Sequence, residues 1–402
     1  MLNKIQNKGG VRGTLVPWLN LKLKQKNIKY NYSINNMNPR IQDVKEDGNS
    51  LTFTLSGVNV SLANAIRRTV LSDIPTFVFR TTPYEENKAV FLTNTTRLNN
   101  EILKQRLSCI PIHIQDLEMP LQNYILEVNV ENLTDTIQFV TTEDFKVKNL
   151  TTNKFLSEKD NKAIFPPNDY GYFIDFARLR PKISEEIPGE KLHFTCEFSI
   201  GNAKENAMFN CVSTCSYGFT LDDEHIDKEL GKRVKHWKDQ GLSKDQIDFE
   251  SKNWRLLEGQ RIVKKDSFDF IIETVGVFTN QYLIKKACTI LTTKLTELES
   301  AIDKDELKII PSQNTMPFSY DIILENEDYT IGKALEFMMY AKFFEDLKTL
   351  TYCGFKKMHP HDSDSIVRVA YKELTDVATV KQNLKACITD AVIVFQKIGD
   401  RF

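Results

Sequence analysis

The densest group of chemically capable side chains in the sequence is Asp362-Ser-Asp364, which follows His359 and His361. Carboxylates beside imidazoles could hold a divalent metal, and with Cys353 they would make a Cys/His/Asp metalloenzyme site. The same residue types also suit a turn before a strand, because Asp, Ser and His side chains hydrogen-bond their own backbone, and turn chemistry is the preferred reading. Cys211 and Cys215 are the closest cysteine pair, yet no second pair or nearby histidine supplies the other ligands of a tetrahedral zinc site. The sequence contains no Gly-rich phosphate loop, Gly-x-Ser-x-Gly elbow or zinc-protease helix. We therefore expect no catalytic residues, no metal and no cofactor.

Arg67 and Arg68 offer a different chemistry. They fall toward the polar side of a helix expected near 61–73, where each guanidinium can present a fork of donors to carboxylates or carbonyls. A solvated helix face is the alternative reading.

The elements that must position these residues can be read from periodicity. Leu51, Phe53 and Leu55 alternate with polar residues, as a strand with one buried face requires. After a turn at Gly57, Ser61 is expected to cap a helix with the apolar face Leu62, Ala65, Ile66, Thr69 and Val70, ending before Pro75. The same unit returns downstream. Phe318, Tyr320 and Ile322 alternate, Thr330 takes the cap position, and Ile331, Ala334, Leu335, Met338 and Met339 follow in a helix near 330–346. Each copy is followed by a further strand and a long heptad helix, Phe268–Thr274 then 279–299, and Ile366–Tyr371 then 375–398. The seams are Ile284, Cys288, Leu291, Leu295 and Leu298 in one, and Val380, Leu384, Cys387, Ala391, Val394 and Ile398 in the other. Cys288 and Cys387 are equivalent seam positions, where a free cysteine acts as a small hydrophobe.

Two half-units that each expose an apolar seam are most simply satisfied by packing against each other. We expect an α+β fold whose two dimerisation half-units, each strands plus two helices, form an intramolecular pseudo-dimer. The seam residues are Leu62, Ile66, Val70, Ile284, Cys288, Leu291, Leu295, Ile331, Leu335, Met338, Leu384, Cys387, Ala391, Val394 and Ile398. The first half-unit, 41–80 and 216–300, is interrupted by an inserted mixed α/β domain over 81–215. Strands are expected at Tyr124–Val130 and Leu192–Ile200, with a polar surface loop at 146–162. Within 221–262, ten acids, nine bases, Trp237 and Trp254 make a charged helical hairpin whose indoles need cover, from the hairpin itself or from a docking partner. The second half-unit spans 306–402.

Composition sets the limits. The 402 residues carry 53 basic and 54 acidic side chains, a net charge of −1, which argues against a protein whose main task is neutralising phosphates. No apolar run is long enough to span a membrane, and no secretory leader is recognisable. Seven scattered cysteines suggest reduced thiols in an intracellular setting. Residues 1–40 hold eight bases and no acid. They read as a flexible arm, as a start placed too early with Met37 the true beginning, or as a basic segment touching nucleic acid.

Several segments resemble the alpha-like subunits of multi-subunit DNA-dependent RNA polymerases. Val60-Ser-Leu-Ala-Asn-Ala-Ile-Arg-Arg-Thr-Val-Leu-Ser-Asp-Ile-Pro75 looks like that family's first helix. Asn94-Thr-Thr, Glu101-Ile-Leu-Lys-Gln-Arg-Leu-Ser-Cys-Ile-Pro-Ile112, Leu179-Arg-Pro181, Gly201-Asn-Ala-Lys-Glu-Asn-Ala-Met-Phe209 and Glu273-Thr-Val-Gly276 are similar to further blocks of the eukaryotic third-subunit type and its larger archaeal counterpart. Glu327-Asp-Tyr-Thr-Ile-Gly332, Gly354-Phe-Lys356, His359-Pro360 and Ile366-Val-Arg-Val369 resemble the smaller dimer partner, the eukaryotic eleventh-subunit type and its archaeal counterpart. The chain looks like both partners fused, an arrangement known in large DNA viruses, and 39 lysines against 14 arginines suits an AT-rich genome.

The resemblance implies a non-catalytic assembly platform for transcription. Its docking face for the largest and second-largest polymerase subunits would include Asn64, Arg67, Arg68, Glu101, Arg106, Lys204 and Glu205. Small polymerase subunits would be further partners, DNA would be met only indirectly through the complex, and no membrane is involved. Such a subunit would work in the nucleus if cellular, or in the virion and a cytoplasmic factory if viral. The four-cysteine zinc loop of many eukaryotic members is missing, since residues 113–123 contain no cysteine, and Ser108-Cys109 replaces the usual Gly-Leu. A stand-alone metalloenzyme built on Cys353, His359 and His361, or an interaction scaffold outside transcription, is the alternative.

Overall fold

The computed structural model describes residues 37–184 and 186–402. Most of the basic segment expected to be an arm thus lies outside the described residues. The chain opens with the strands β1 (Arg40–Asp47) and β2 (Ser50–Ser56), the second of which alternates buried and half-buried side chains, and then α1 (Val60–Ser72). Next come β3 (Thr76–Val78), β4 (Ala89–Asn94), α2 (Asn100–Ser108), β5 (Tyr124–Glu131), β6 (Gln138–Thr141), β7 (Lys146–Asn149), β8 (Lys154–Phe155) and α3 (Glu158–Ile164). They are followed by β9 (Asp175–Leu179), β10 (Lys191–Glu197), β11 (Ser199–Gly201), β12 (Val212–Leu221), α4 (Asp223–Asp239), α5 (Lys244–Leu256), β13 (Val263–Thr274) and α6 (Asn280–Asp303). The last stretch holds β14 (Ile309–Pro311), β15 (Ser319–Leu324), α7 (Tyr329–Met339), a π-helical turn at Tyr340–Asp346, β16 (Leu350–Lys356), β17 (Ser365–Tyr371) and α8 (Val377–Gly399).

One supersecondary pattern occurs twice. The first four-stranded antiparallel sheet runs β1-β2-β13-β12 and the second runs β14-β15-β17-β16. In each, the second strand leads into a short helix, α1 or α7, and the last strand leads into a long one, α6 or α8. A period-2 strand and a 3.6-period helix each bury only one side, so each sheet needs its helices and each helix pair needs a further cover. That cover is the other pair. α6 packs on α8 and α1 on α7, and one continuous core takes side chains from both sheets and all four helices. The long helices run antiparallel: Lys385 near the start of α8 donates to Asp303 at the end of α6 at 2.6 Å. Gly399 sits so close to Cys288 that a Cβ there would lie 3.2 Å from the cysteine Cβ. The terminal Phe402 reaches the first sheet, its ring 5.0 Å from that of Phe53, which in turn stacks on Phe270 at 5.1 Å.

Between α1 and β12 lies a module with its own core. Its five-stranded sheet runs β4-β10-β5-β7-β8, and the pairs β11-β3 and β6-β9 flank it. Phe79, Phe145, Phe176 and Phe194 are fully buried there with Leu103, Leu107 and Ile112. A third, small core holds α4 to α5 through Ile226, Leu230 and Trp254, with Val234 and Trp237 packed against them.

Four local expectations need correction. The helix caps lie two residues earlier than expected. Asn59, not Ser61, caps α1 by accepting from the Ser61 N–H at 2.9 Å, and Asp328, not Thr330, caps α7 by accepting from the Thr330 N–H at 2.8 Å. Asn59 and Asp328 are the last extended residues before each helix, with φ of −76° and −119°, so the hydroxyl two residues on already lies inside the first turn. Residues 146–162 form β7, β8 and most of α3, because Val147 and the Asn161 amide tie the stretch to the module core. Phe318 is exposed with φ of 50°, so the buried face of β15 begins beyond it.

Candidate partner-docking site and the seam between half-units

α1 is positioned by its burial. Leu62, Ala63, Ala65, Ile66, Thr69 and Val70 face the shared core, which leaves Asn64, Arg67 and Arg68 half-buried along the helix flank. The seam residues expected from the heptads and the short helices are buried in this one core, Leu62, Ile66 and Val70 on α1, Ile284, Cys288, Leu291 and Leu295 on α6, Ile331, Leu335 and Met338 on α7, and Val380, Leu384, Cys387, Ala391, Val394 and Ile398 on α8, except Leu298, which packs half-buried against its margin. Burial pushes the Cys288 thiol up to about 12 and the Cys387 thiol upward as well, so both stay protonated packing groups at neutral pH.

The two arginines part company. Arg67 donates through Nε to Asn64 Oδ1 at 2.9 Å, one turn back on the same helix. Arg68 turns the other way, onto the N-terminus of α7. Its Nη2 meets Asp328 Oδ2 at 2.7 Å and its Nε meets Thr330 Oγ1 at 2.9 Å. Arg68, expected on an outward docking face, is therefore occupied within the chain. Burial pushes the Asp328 carboxyl upward, but the Thr330 N–H and hydroxyl and the Arg68 guanidinium outweigh it and hold the group below the usual aspartate range.

A second ionic contact lies beside the first. Lys294 of α6 reaches Asp73 Oδ2, at the end of α1, at 2.8 Å and Glu327 Oε1, before α7, at 3.5 Å. Burial opposes the ammonium, yet the two carboxylates prevail and raise its pKa above the ordinary lysine value. Asp73 is the nearer partner, so for Glu327 the cost of burial is only partly offset by Lys294 and Lys204, and its carboxyl is pushed up. Polar pairs of this kind contribute modest net stability but specify how two apolar faces meet. Lys294, Asp73, Glu327 and Asp328 escape a purely apolar reading of the seam. The available signals are a lysine interrupting an apolar heptad helix and paired acids directly before a helix start.

The other docking candidates are dispersed. Glu101 is exposed in the first turn of α2, and Arg106 at the end of α2 donates to the Asp175 carbonyl at 2.7 Å. Lys204 is exposed, its N–H donating to the Ser72 carbonyl at 2.8 Å, so its loop adjoins the end of α1. Glu205 is held by Arg80 at 2.6 Å. The structure thus sets Asn64 and Arg67 on the flank of α1 and the Lys204 loop beside its C-terminal end, and puts Glu101 and Arg106 in the inserted module.

The His359 and His361 rings lie 5.2 Å apart between centroids, tilted by 38°, in an exposed turn where the His359 N–H donates to Asp362 at 2.9 Å. Cys353 donates to the Glu336 carbonyl at 3.5 Å, and burial pushes its thiol up to about 12. Cys211 and Cys215 are buried in the shared core with thiols pushed up to about 11 and 12. Among the described residues no group of three or more His, Cys, Asp or Glu side chains is disposed to hold a metal ion.

The family profile of the RNA polymerase Rpb3/Rpb11 dimerisation domain matches residues 52–295, more than half of the chain. The chain belongs to this family. It is 26% identical to the DNA-directed RNA polymerase subunit Rpo3 of Pyrococcus horikoshii over 279 residues, which cover 63% of this chain and 94% of the relative. It is 25% identical to the DNA-directed RNA polymerases I and III subunit RPAC1 of Bos taurus, covering 66% of this chain and 85% of the relative. A conjugation stage-specific protein of Tetrahymena thermophila is also 25% identical, over 63% of this chain and 91% of its own length. The relatives named as polymerase subunits are alpha-like, as the sequence blocks suggested. The antiparallel sheets and helices described above make the α+β fold of the Rpb3/Rpb11 dimerisation domain. The matched segment stops short of α7 and α8, so the likeness of the last 100 residues to the first half-unit rests on the repeated strand and helix order and the matching buried faces of α1 and α7.

Proposed function

We propose that this chain is a non-catalytic assembly subunit of a DNA-directed RNA polymerase that carries both members of an alpha-like pair in one polypeptide. Residues 41–80 and 216–300 would be the first half-unit, 81–215 the inserted domain, and 306–402 the second half-unit. The single observation that carries the reading is the core shared by α1, α6, α7 and α8, flanked by two sheets of the same strand order. Two separate subunits would need an encounter to bury those faces; covalent linkage keeps them at an effective concentration of about millimolar or above.

The paired half-units would recruit the second-largest polymerase subunit through the α1 flank, Asn64, Arg67 and the Lys204 loop, after which the largest subunit joins. Glu101, Arg106 and Glu205 would contribute from the inserted module, and small polymerase subunits would complete the assembly. Arg68 acts inside the pseudo-dimer, fixing α1 on α7. The subunit would work where its polymerase works, in the nucleus if cellular, or in the virion and a cytoplasmic factory if viral.

Co-purification from the native source tests this. Tagged wild-type chain should bring down both large polymerase subunits, identified by mass spectrometry, while a folded Arg67→Glu variant should lose them. Capture of neither large subunit by the wild type would restrict the family relationship to the fold. Equal capture by the variant would move the docking face away from Arg67.

A further inference from the structure

The two half-units match in their ion pairs as well as in their strands, but with the charges exchanged. Asp73 at the end of α1 meets Lys294 of α6 at 2.8 Å, and Lys342, in the π-helical turn after α7, meets Asp390 of α8 at 2.7 Å. Setting Ser61 against Thr330 puts Asp73 opposite Lys342 and Val58 opposite Glu327. The heptad runs align from Ile284 on Val380 to Leu298 on Val394, which puts Lys294 opposite Asp390 in a register where Cys387 answers Leu291 rather than Cys288. Each half-unit thus ties its long helix to its short one by a salt bridge, and cation and anion have changed places.

The exchange matters where the halves meet. Arg68 and Lys294 of the first half-unit reach Asp328 and Glu327 of the second at 2.7 and 3.5 Å, and none of the four side chains is more than 34% exposed. Charges shielded in this way discriminate between partners more strongly than fully solvated ones.

A repeated fold carries a competing arrangement, in which like half-units of two copies pair through the same faces. A first half-unit on another first would set Arg68 against Asn59 and Lys294 against Val58, so neither cation would gain a carboxylate across the seam. A second on another second would set Phe337 against Asp328 and put Asp390 in the place of Lys294, one carboxylate against another, Glu327. The crossing of the long helices repeats the bias. There Lys385 meets Asp303 at 2.6 Å and Lys381 meets Asp305, whereas the equivalents of those acids on α8 are Gly399 and Arg401.

We infer that these charges are the specificity determinants of the seam: they select pairing of unlike half-units and oppose pairing of like half-units between copies. The apolar faces cannot make that choice, because burial is non-directional and both halves offer the same residue types. The inference rests on the two-half-unit reading and on no polymerase partner.

The test is refolding of the full chain from denaturant, when both faces are free to choose, followed by size-exclusion chromatography with light scattering. Concentrations of about 10 and 100 µM stay below the roughly millimolar effective concentration of the tethered half, so the wild type should be monomeric. Glu327→Lys opposes Lys294 within the chain and attracts Asp390 between copies, and should raise the dimer fraction at least about tenfold. Glu327→Lys/Asp390→Asn removes that attraction and should lower the fraction at least about fivefold from the single variant's level. Should Glu327→Lys not refold, Glu327→Gln serves instead: it loses both the attraction to Lys294 and the repulsion by Asp390, and should raise the dimer fraction about two- to fivefold. Three results would overturn the inference: a wild type that refolds mainly to dimers, a dimer fraction unchanged in both Glu327 variants, or dimers that persist undiminished with Asp390→Asn. None of these would alter capture of the large polymerase subunits by the native chain, so the two readings fail separately.

Discussion

The two half-units share strand order and helix order, yet their short helices present different chemistry. Setting Ser61 against Thr330 puts Asn59 opposite Asp328, Ala63 opposite Gly332, Asn64 opposite Lys333, Arg67 opposite Glu336 and Arg68 opposite Phe337. On α1, Arg67 bonds a neutral Asn64 and keeps its positive charge available; on α7, Lys333 and Glu336 neutralise each other at 2.5 Å. The caps differ likewise. Asn59 is uncharged, whereas Asp328 supplies both the cap of α7 and the counter-charge for Arg68. A repeated scaffold therefore supports divided labour. In the first half-unit Arg67 has no ion pair among the described residues, and the second half-unit supplies the carboxylate that Arg68 of the first engages.

The comparison is broken most severely at the shared core. Leu291 is fully buried where α6 meets the other helices, and Leu291→Ala is expected to cost about 2–5 kcal/mol in chemical denaturation. Because both half-units draw on that core, hydrogen exchange should show α7 and α8 losing protection together with α1 and α6. Independent loss would mean that the half-units are separately stable.

Next comes Gly332→Ala. A Cβ at this position would collide with the Phe355 ring, whereas the equivalent Ala63 is accommodated without exposure. Overpacking should cost about 1–3 kcal/mol despite the better helix propensity of alanine. A rise in melting temperature would show that the Phe355 ring yields freely.

Asp328→Ala should cost about 1–2 kcal/mol, more than Asn59→Ala at about 1, since only the first also strands Arg68. The pH dependence sharpens this pair. Asp328 titrates below its ordinary value in the folded chain, so its contribution is present above about pH 3.9 and is lost as the pH falls through the lower folded value. Wild type and Asp328→Ala should therefore converge in melting temperature at strongly acid pH, while Asn59→Ala should keep its offset from wild type.

The smallest effect on stability belongs to Arg67→Glu, expected to stay within about 0.5 kcal/mol of wild type. The matching Glu336→Arg on α7 should leave capture of the large subunits intact. Loss of capture by both variants would contradict the division of labour between the two helices.

Much of this architecture is legible in the residues alone. The Leu51–Leu55 alternation, the 3/4 spacing after Ser61 and Thr330 and the two heptad runs are signals of one chain segment facing one core, so they survive without knowledge of the partner. The caps are harder to place because several hydroxyl and Asx side chains compete within a few residues, and backbone geometry decides among them. The 146–162 stretch reads as a loop because its strands are short and polar, with Val147 the main inward contact. Trp237 and Trp254 call for cover, and the hairpin supplies it, with Arg233 lying over the Trp254 ring at 5.3 Å.

By itself the sequence determined the repeat, its apolar faces and the family blocks, because periodicity and short motifs are local properties of the chain. Tertiary structure alone decided that Arg67 stays available while Arg68 is engaged by Asp328, and that Lys294 answers Asp73 and Glu327. The Arg68–Asp328 and Lys294–Asp73 pairs join residues 260 and 221 positions apart. Such distances along the chain are closed only when two apolar seams have already found each other, so no local pattern can announce which of two adjacent arginines will face inward.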